Sequence, residues 1–232
     1  MVTLDELSLR IKSIFSSSWT RRNGRVVPEY DELQLTNDAV AIEGAVLYAD
    51  IKGSTNLVNE YTDNFAAKIY KAFLASVSTV INNNGGVITS FDGDRVMGVF
   101  IGDSKCSNSA KSGLQMFSAV RKLNAMLRES YPTCGYTLDY ACGIDVSNIF
   151  IVRTGVRGAN DLAWIGNAAN IAAKLSEIRG QTGKTYITER LFDRLNVSSK
   201  YSSADKTRCM WSPIAMNILG QQVYQSEWYW DF

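Results

Sequence analysis

The sequence predicts one α/β domain with a short N-terminal extension, and three observations carry that prediction. Apolar runs of strand length alternate with longer stretches in which apolar residues recur every three or four positions. No Gly/Pro-rich linker, repeat or shift in composition divides the 232 residues. Hydrophobic residues make up 46% of the chain and charged residues 20%, the balance of a globular protein with a sizeable core.

Leu4, Leu7, Ile11, Ile14 and Phe15 have helical spacing, so residues 3–15 read as a short amphipathic helix. Residues 16–38, with three serines, Arg21-Arg-Asn-Gly and Pro28, read as a connector. Ala45 to Asp50, bounded by Gly44 and Gly53, is the apolar run expected of a central strand. From Leu57 through Tyr61, Phe65, Ile69, Phe73, Val77 and Val80 to Ile81 the spacing predicts one long helix, ended by Asn82-Asn-Asn-Gly-Gly. Val87–Phe91 and Val96–Ile101 are strands joined by a hairpin turn at Asp92-Gly93-Asp94. Leu114, Phe117, Val120, Leu123 and Leu127 mark a second long helix. Tyr136–Asp145 and Ile149–Arg153 read as a strand pair turning at Ser147-Asn148, and Thr154–Asp161 as a glycine-bearing loop into a third helix over about 166–178. Lys184–Thr188 predicts a strand, Glu189–Leu195 a short helix, and Ile218–Trp230 at least one more strand. Residues 1–40 are therefore expected to be helix and connector, and 41–232 the α/β domain.

Composition narrows the chemistry. Histidine is absent, which excludes Ser-His triads, His-ligated metals and His general bases. With 24 basic and 23 acidic residues the formal net charge is +1, and no long run of one sign occurs. That argues against a nucleic-acid groove or a polybasic membrane anchor. Cys106, Cys134, Cys142 and Cys209 lie far apart without a CxxC pair, as expected of reduced thiols in a cytoplasmic protein. Asp5 and Glu6 among the N-terminal apolar residues argue against a signal peptide, and no run of ~18 apolar residues predicts a membrane span.

Asp50 ends an apolar strand, and Asp94 sits in a hairpin turn that an antiparallel sheet could bring alongside. Two carboxylates at strand ends among small residues suit a two-metal clamp for a triphosphate. Gly53-Ser54-Thr55 follows at a helix start, where backbone N–H groups favour phosphate oxygens. Taken singly, each element is equally a helix cap or a common turn.

Read in order, YADIKGST at 48–55, GGVITSFDGDRVMGVF at 85–100 and WIGNAANIAAKL at 164–175 resemble the class III nucleotidyl cyclase catalytic domain, over about residues 44–230. The resemblance implies a ferredoxin-like βαββαβ fold with an antiparallel-rich sheet and flanking helices. It implies a head-to-tail homodimer whose composite sites take metal residues from one subunit and an Asn/Arg helix from the other. Carried over, it makes Asp50 and Asp94 ligands of two Mn²⁺ or Mg²⁺ ions, with the Ile51 carbonyl beside them. Gly53, Ser54 and Thr55 then contact the triphosphate, and Asn170 orients the ribose. Lys174, one turn beyond Asn170 on the same face, stands where the family usually has an arginine for the pentavalent phosphate. Lysine keeps the charge and loses the two-pronged geometry.

The departures concern the base and the phosphates. At the two purine-reading positions the chain has Ser90 and Ala163, so neither the adenine nor the guanine pair is present. Unpartnered base edges cost about 1–3 kcal/mol each, enough to abolish discrimination. Tyr48 projects to the same face as Asp50 and could shorten the pocket for a smaller base, with Arg95 a second candidate for base or phosphate contact. This combination resembles the pyrimidine cyclases of bacterial Pycsar anti-phage systems, whose cyclic UMP or cyclic CMP activates a separate effector. UTP is the favoured substrate over CTP; an adenylate cyclase with atypical base recognition and a catalytically inactive cyclase-homology module are the alternatives. The family's GIHxG block is here Gly143-Ile-Asp-Val-Ser, and a customary phosphate-gripping base is replaced around Leu219-Gly220. Arg153, Arg157 and Lys174 are the candidates to compensate.

Overall fold

In the computed structural model, which describes residues 2–202 and 208–231, strands β2 (Asp38–Ile51) and β5 (Tyr140–Val156) run antiparallel through a nine-stranded sheet. Around them lie β1 (Thr20–Asn23), β3 (Val87–Asp92), β4 (Arg95–Phe100), β6 (Ala159–Ile165), β7 (Thr185–Thr188), β8 (Ser212–Ile218) and β9 (Gln221–Ser226). The order is β3-β4-β2-β5-β7-β9-β8, with β1 added to β2 and β6 to β5. Among the described strands only β1–β2 and β5–β7 pair in parallel.

Both faces of β2 are covered, which is why its sequence is apolar at nearly every position. Ala45, Leu47, Ala49 and Ile51 point to one face and join Val96 and Phe100 beneath α3 (Asp63–Asn83) and α4 (Lys105–Ser130), which contribute Phe73, Val77, Val80, Leu114 and Met116. Val40, Ile42 and Val46 point to the other face with Met97, Val99, Ile149 and Ile151, beneath Ala168, Ala169 and Ala172 of α5 (Asn167–Ser176). Three alanines on its inner face let α5 lie close to the sheet. At Gly143 of β5 the approach is so close that a Cβ would meet the Ala172 carbonyl oxygen at 2.2 Å and Leu175 Cβ at 2.5 Å.

Three expectations are corrected. The helix expected over 57–81 is two, α2 (Ser54–Glu60) and α3, because Thr62 caps α3 by accepting from the Phe65 N–H while Tyr61 turns extended and stacks on Phe65. The strand pair expected to turn at Ser147-Asn148 is the single strand β5. Ser147 pairs with Gly44 and Asn148 with Glu43, so the ladder to β2 satisfies the backbone that a turn would otherwise satisfy. The loop expected over 154–161 is instead the tip of a β5–β6 hairpin.

The N-terminal helix α1 (Leu4–Ser16) forms with a Thr3/Glu6 capping box, and none of its residues is buried. The connector after it supplies β1 and a 3₁₀ turn at Tyr30–Glu32, and is tied to the sheet by the Arg22–Asp38 ion pair at 2.8 Å. Short helices α6 (Glu189–Asp193) and α7 (Val197–Lys200) precede β8. All four cysteines are free, and among the described residues no helix is long and apolar enough to cross a membrane.

Candidate active site

Strand alternation puts Tyr48 and Asp50 on the face of β2 that α5 partly covers. Ala49 pairs with Val96, so the next rung sets Arg95 beside Asp50. The β3–β4 turn follows at once: Gly93 adopts φ +60°, a left-handed conformation that suits glycine, and so folds Asp94 back towards the end of β2. Burial and then the negative charge of Asp94 push the Asp50 carboxyl up to about 6. The Asp94 Oδ2 is itself buried without a hydrogen-bond partner.

Basic groups crowd the same end of the sheet. Arg179, just past α5, lies 3.6 Å from Asp50. Arg95 bonds Asp92 at 3.1 Å and Glu177 at 3.4 Å, and its guanidinium stands 5.4 Å from the centre of the Tyr48 ring. Burial, opposed by Arg95, raises the Tyr48 phenol, which therefore stays a neutral hydrogen-bonding group. Ser90 pairs with Met97 and Met97 with Tyr48, so serine, methionine and tyrosine share one rung two residues from Asp50. Asp50, Asp94, Tyr48, Ser90 and Arg95 thus converge at one sheet end, with Gly53, Ser54 and Thr55 at the start of α2 that follows β2 directly.

Among the described residues no three His, Cys, Asp or Glu side chains cluster as a metal site. The paired aspartates are nonetheless a suitable donor set for divalent cations: the Asp50 carboxyl is raised by burial and then by Asp94, a charge cost that a cation would relieve, and Asp94 has a buried oxygen without a hydrogen-bond partner.

Across the whole chain the relationship is close. The sequence is 38% identical over 229 residues to a uridylate cyclase of Xanthomonas perforans, covering 97% of each chain, and 38% identical over 233 residues to a uridylate cyclase of Burkholderia cepacia, covering 99% of each. The chain belongs to the family of these nucleotidyl cyclases. No family model matches it. In fold the cyclase is similar to a bacterial light-regulated adenylyl cyclase, with TM-score 0.70 and 18% identity over 85% of this chain and 56% of that one. It is likewise similar to the adenylyl cyclase CyaB of P. aeruginosa, with TM-score 0.63 and 23% identity over 81% of this chain and 95% of that one.

The cyclase chain does not gather every candidate residue. Asn170 and Lys174 lie on the exposed face of α5, and Asn170 is under two turns, roughly 9 Å along the axis, before the helix end that leads to the Glu177–Arg95 and Arg179–Asp50 contacts. Ala163 pairs with Val152, which pairs with Ala39, eleven positions along β2 from Asp50 and roughly 35 Å away at ~3.3 Å per residue. Arg153 is also remote, bonded to Asn160 and the Leu33 carbonyl and stacked on Tyr30. Sequence reasoning missed Arg179, which meets Asp50, and the Lys52–Asp139–Lys184 cluster whose Lys52 feels the charge of Arg179. Lys52 was detectable by its period-two spacing from Asp50, whereas nothing local marks Arg179.

Proposed function

We propose that this cyclase converts UTP to 3′,5′-cyclic UMP and pyrophosphate. The ribose 3′-oxygen forms a bond to the α-phosphorus, the bond to the β-phosphate oxygen breaks, and the hydroxyl proton passes to a carboxylate or water. Near full-length identity to proteins named uridylate cyclase is the observation that carries this reading. The rung of Ser90, Met97 and Tyr48 supports it: a phenol that stays neutral, with Arg95 stacked on it, narrows the space beside Asp50 and offers a hydrogen bond to a small base.

Asp50, Asp94 and the Ile51 carbonyl would hold two Mn²⁺ or Mg²⁺ ions, which when bound acidify the 3′-hydroxyl and neutralise the triphosphate. Gly53, Ser54 and Thr55 contact the triphosphate. Asn170 and Lys174 are exposed on α5, free to meet a second subunit, which supports a head-to-tail homodimer in which the partner's Asn170 orients the ribose and the partner's Lys174 meets the phosphate charge. The same arrangement brings Ala163 to the base pocket from the partner. The catalytic unit is residues 41–232, with 1–40 as the appended helix and connector. By its resemblance to Pycsar cyclases, the protein acts in the cytoplasm, and its product is a second messenger for a separate effector in bacterial antiviral defence.

The test is to incubate the purified protein with each of the four nucleoside triphosphates and Mn²⁺ and to identify products by mass. Cyclic UMP from UTP is expected. Cyclic CMP alone moves the assignment to cytidylate cyclase, and product from ATP alone overturns the pyrimidine reading.

A further inference from the structure

A nucleoside triphosphate must bring several negative charges up to two carboxylates, so cations are needed on the side of the site that Asp50 occupies. The side chains named from sequence do not supply them there. Arg153 is locked at the far end of the sheet, Arg157 is exposed at the β5–β6 turn, and Lys174 points outward from α5. Arg95 is held by Asp92, Glu177 and Tyr48.

Immediately beyond Asp50 the sheet carries a basic group of another kind. Lys52 continues the β2–β5 ladder, its N–H donating to the Asp139 carbonyl at 2.9 Å. Its side chain is only 10% exposed, and its ammonium lies 3.7 Å from the Asp139 carboxylate. Lys184, at the start of β7, bonds the other oxygen of that carboxylate at 2.6 Å. One carboxylate therefore serves two ammonium groups, and Lys184 and Arg179 are both near enough for their charges to act on Lys52. Arg179 meets Asp50 through one nitrogen at 3.6 Å, with its side chain 46% exposed. That is a long, single, half-solvated contact, unlike the paired hydrogen bonds of a structural arginine–carboxylate bridge.

We propose that Lys52, Lys184 and Arg179 form the triphosphate anchor on the protomer that carries Asp50 and Asp94, with Arg179 leaving Asp50 when phosphate binds. This rests on the cyclase reading and deepens it. Lys52 and Lys184 present fixed point charges, preset by the shared Asp139, while Arg179 supplies the planar fork that suits phosphate oxygens. A cation held by the aspartates would compete with Arg179 for the Asp50 carboxylate, which would free the guanidinium for phosphate.

Inorganic tripolyphosphate, which cannot cyclise, isolates the anchor. It is titrated calorimetrically into the full-length protein at saturating Mn²⁺, and Mn²⁺ alone is titrated by electron paramagnetic resonance, for wild type, Arg179→Gln and Lys184→Gln. The expected result is tripolyphosphate affinity about tenfold lower in each variant, the loss typical of one charge-assisted contact. Mn²⁺ affinity should be unchanged in Lys184→Gln and equal or tighter in Arg179→Gln. Unchanged tripolyphosphate binding in both variants overturns the proposal, as does a wild type that binds none. Equal losses of Mn²⁺ and tripolyphosphate affinity in Arg179→Gln overturn it too, because they make Arg179 a support for Asp50 alone. A wild type that binds tripolyphosphate but forms no cyclic nucleotide instead sinks the cyclase reaction.

Discussion

Asp50 is raised from 3.8 to about 6, chiefly by burial and then by Asp94. Between these values the folded chain holds a proton that the unfolded chain has released, so ionising Asp50 costs stability as pH rises through the window, and the cost is complete above it. Asp50→Asn should therefore stabilise the metal-free protein at pH 7.5 by about 1–2 kcal/mol, allowing for screening at a half-buried site, and the gain should vanish below about pH 4. Chemical denaturation at the two pH values measures this; an equal gain at both is the contrary result. Protons would compete with the proposed cation for this carboxyl, so Mn²⁺ affinity should fall about tenfold per pH unit below 6. Tyr48→Phe, by contrast, keeps the ring under Arg95 and removes only the hydroxyl. Product analysis with mixed triphosphates should show lost or broadened base selectivity with Mn²⁺ binding retained.

At the scale of elements, the position of α5 over the sheet depends on a residue with no side chain. A methyl at Gly143 would drive into the Ala172 carbonyl and the Ser176 N–H, both backbone, so the helix rather than a side chain has to move. Gly143→Ala should cost about 1–3 kcal/mol in urea denaturation and lower turnover, since α5 carries Asn170 and Lys174 and leads into Arg179. The Asp145 that replaces the family's histidine has a structural role: fully buried, it is bonded by the Arg190 guanidinium and the Thr188 hydroxyl, joining β5 to α6. Arg190→Ala would leave that carboxylate buried without a counter-charge, held by the Thr188 hydroxyl, at about 3 kcal/mol or more, with a matching fall in thermal midpoint. Element type was largely legible from apolar periodicity, as in α4 and the β3–β4 hairpin. The errors fell at Ser147-Asn148, at Tyr61-Thr62 and over 154–161, where strand pairing and capping outweighed local turn, helix and loop signals.

For the whole molecule, the proposed head-to-tail homodimer would join Asp50 of one subunit to Asn170 of its partner. If partners complete each other's sites, Asp50→Ala and Asn170→Ala should each be inactive, while an equimolar exchanged mixture regains about a quarter of wild-type activity through the one intact site of each heterodimer. No recovery after verified subunit exchange would show that the two residues act within one chain. No residue of α1 is buried, while the connector strand β1 pairs with β2 and sets Arg21 over Phe150 of β5.

The sequence by itself determined the alternation of elements, the two aspartates, the phenol two positions from Asp50 and the family to which they point, because period and motif spacing are local properties. Only the tertiary structure decided that Asp94 has a buried oxygen without a partner, that Ser90 and Tyr48 share a rung while Ala163 sits at the other end of the sheet, and that Arg179 reaches Asp50. Those facts depend on strand register and on where a helix ends over the sheet. Both are set by packing between segments separated by up to 129 positions, as Asp50 and Arg179 are, and no local pattern encodes them.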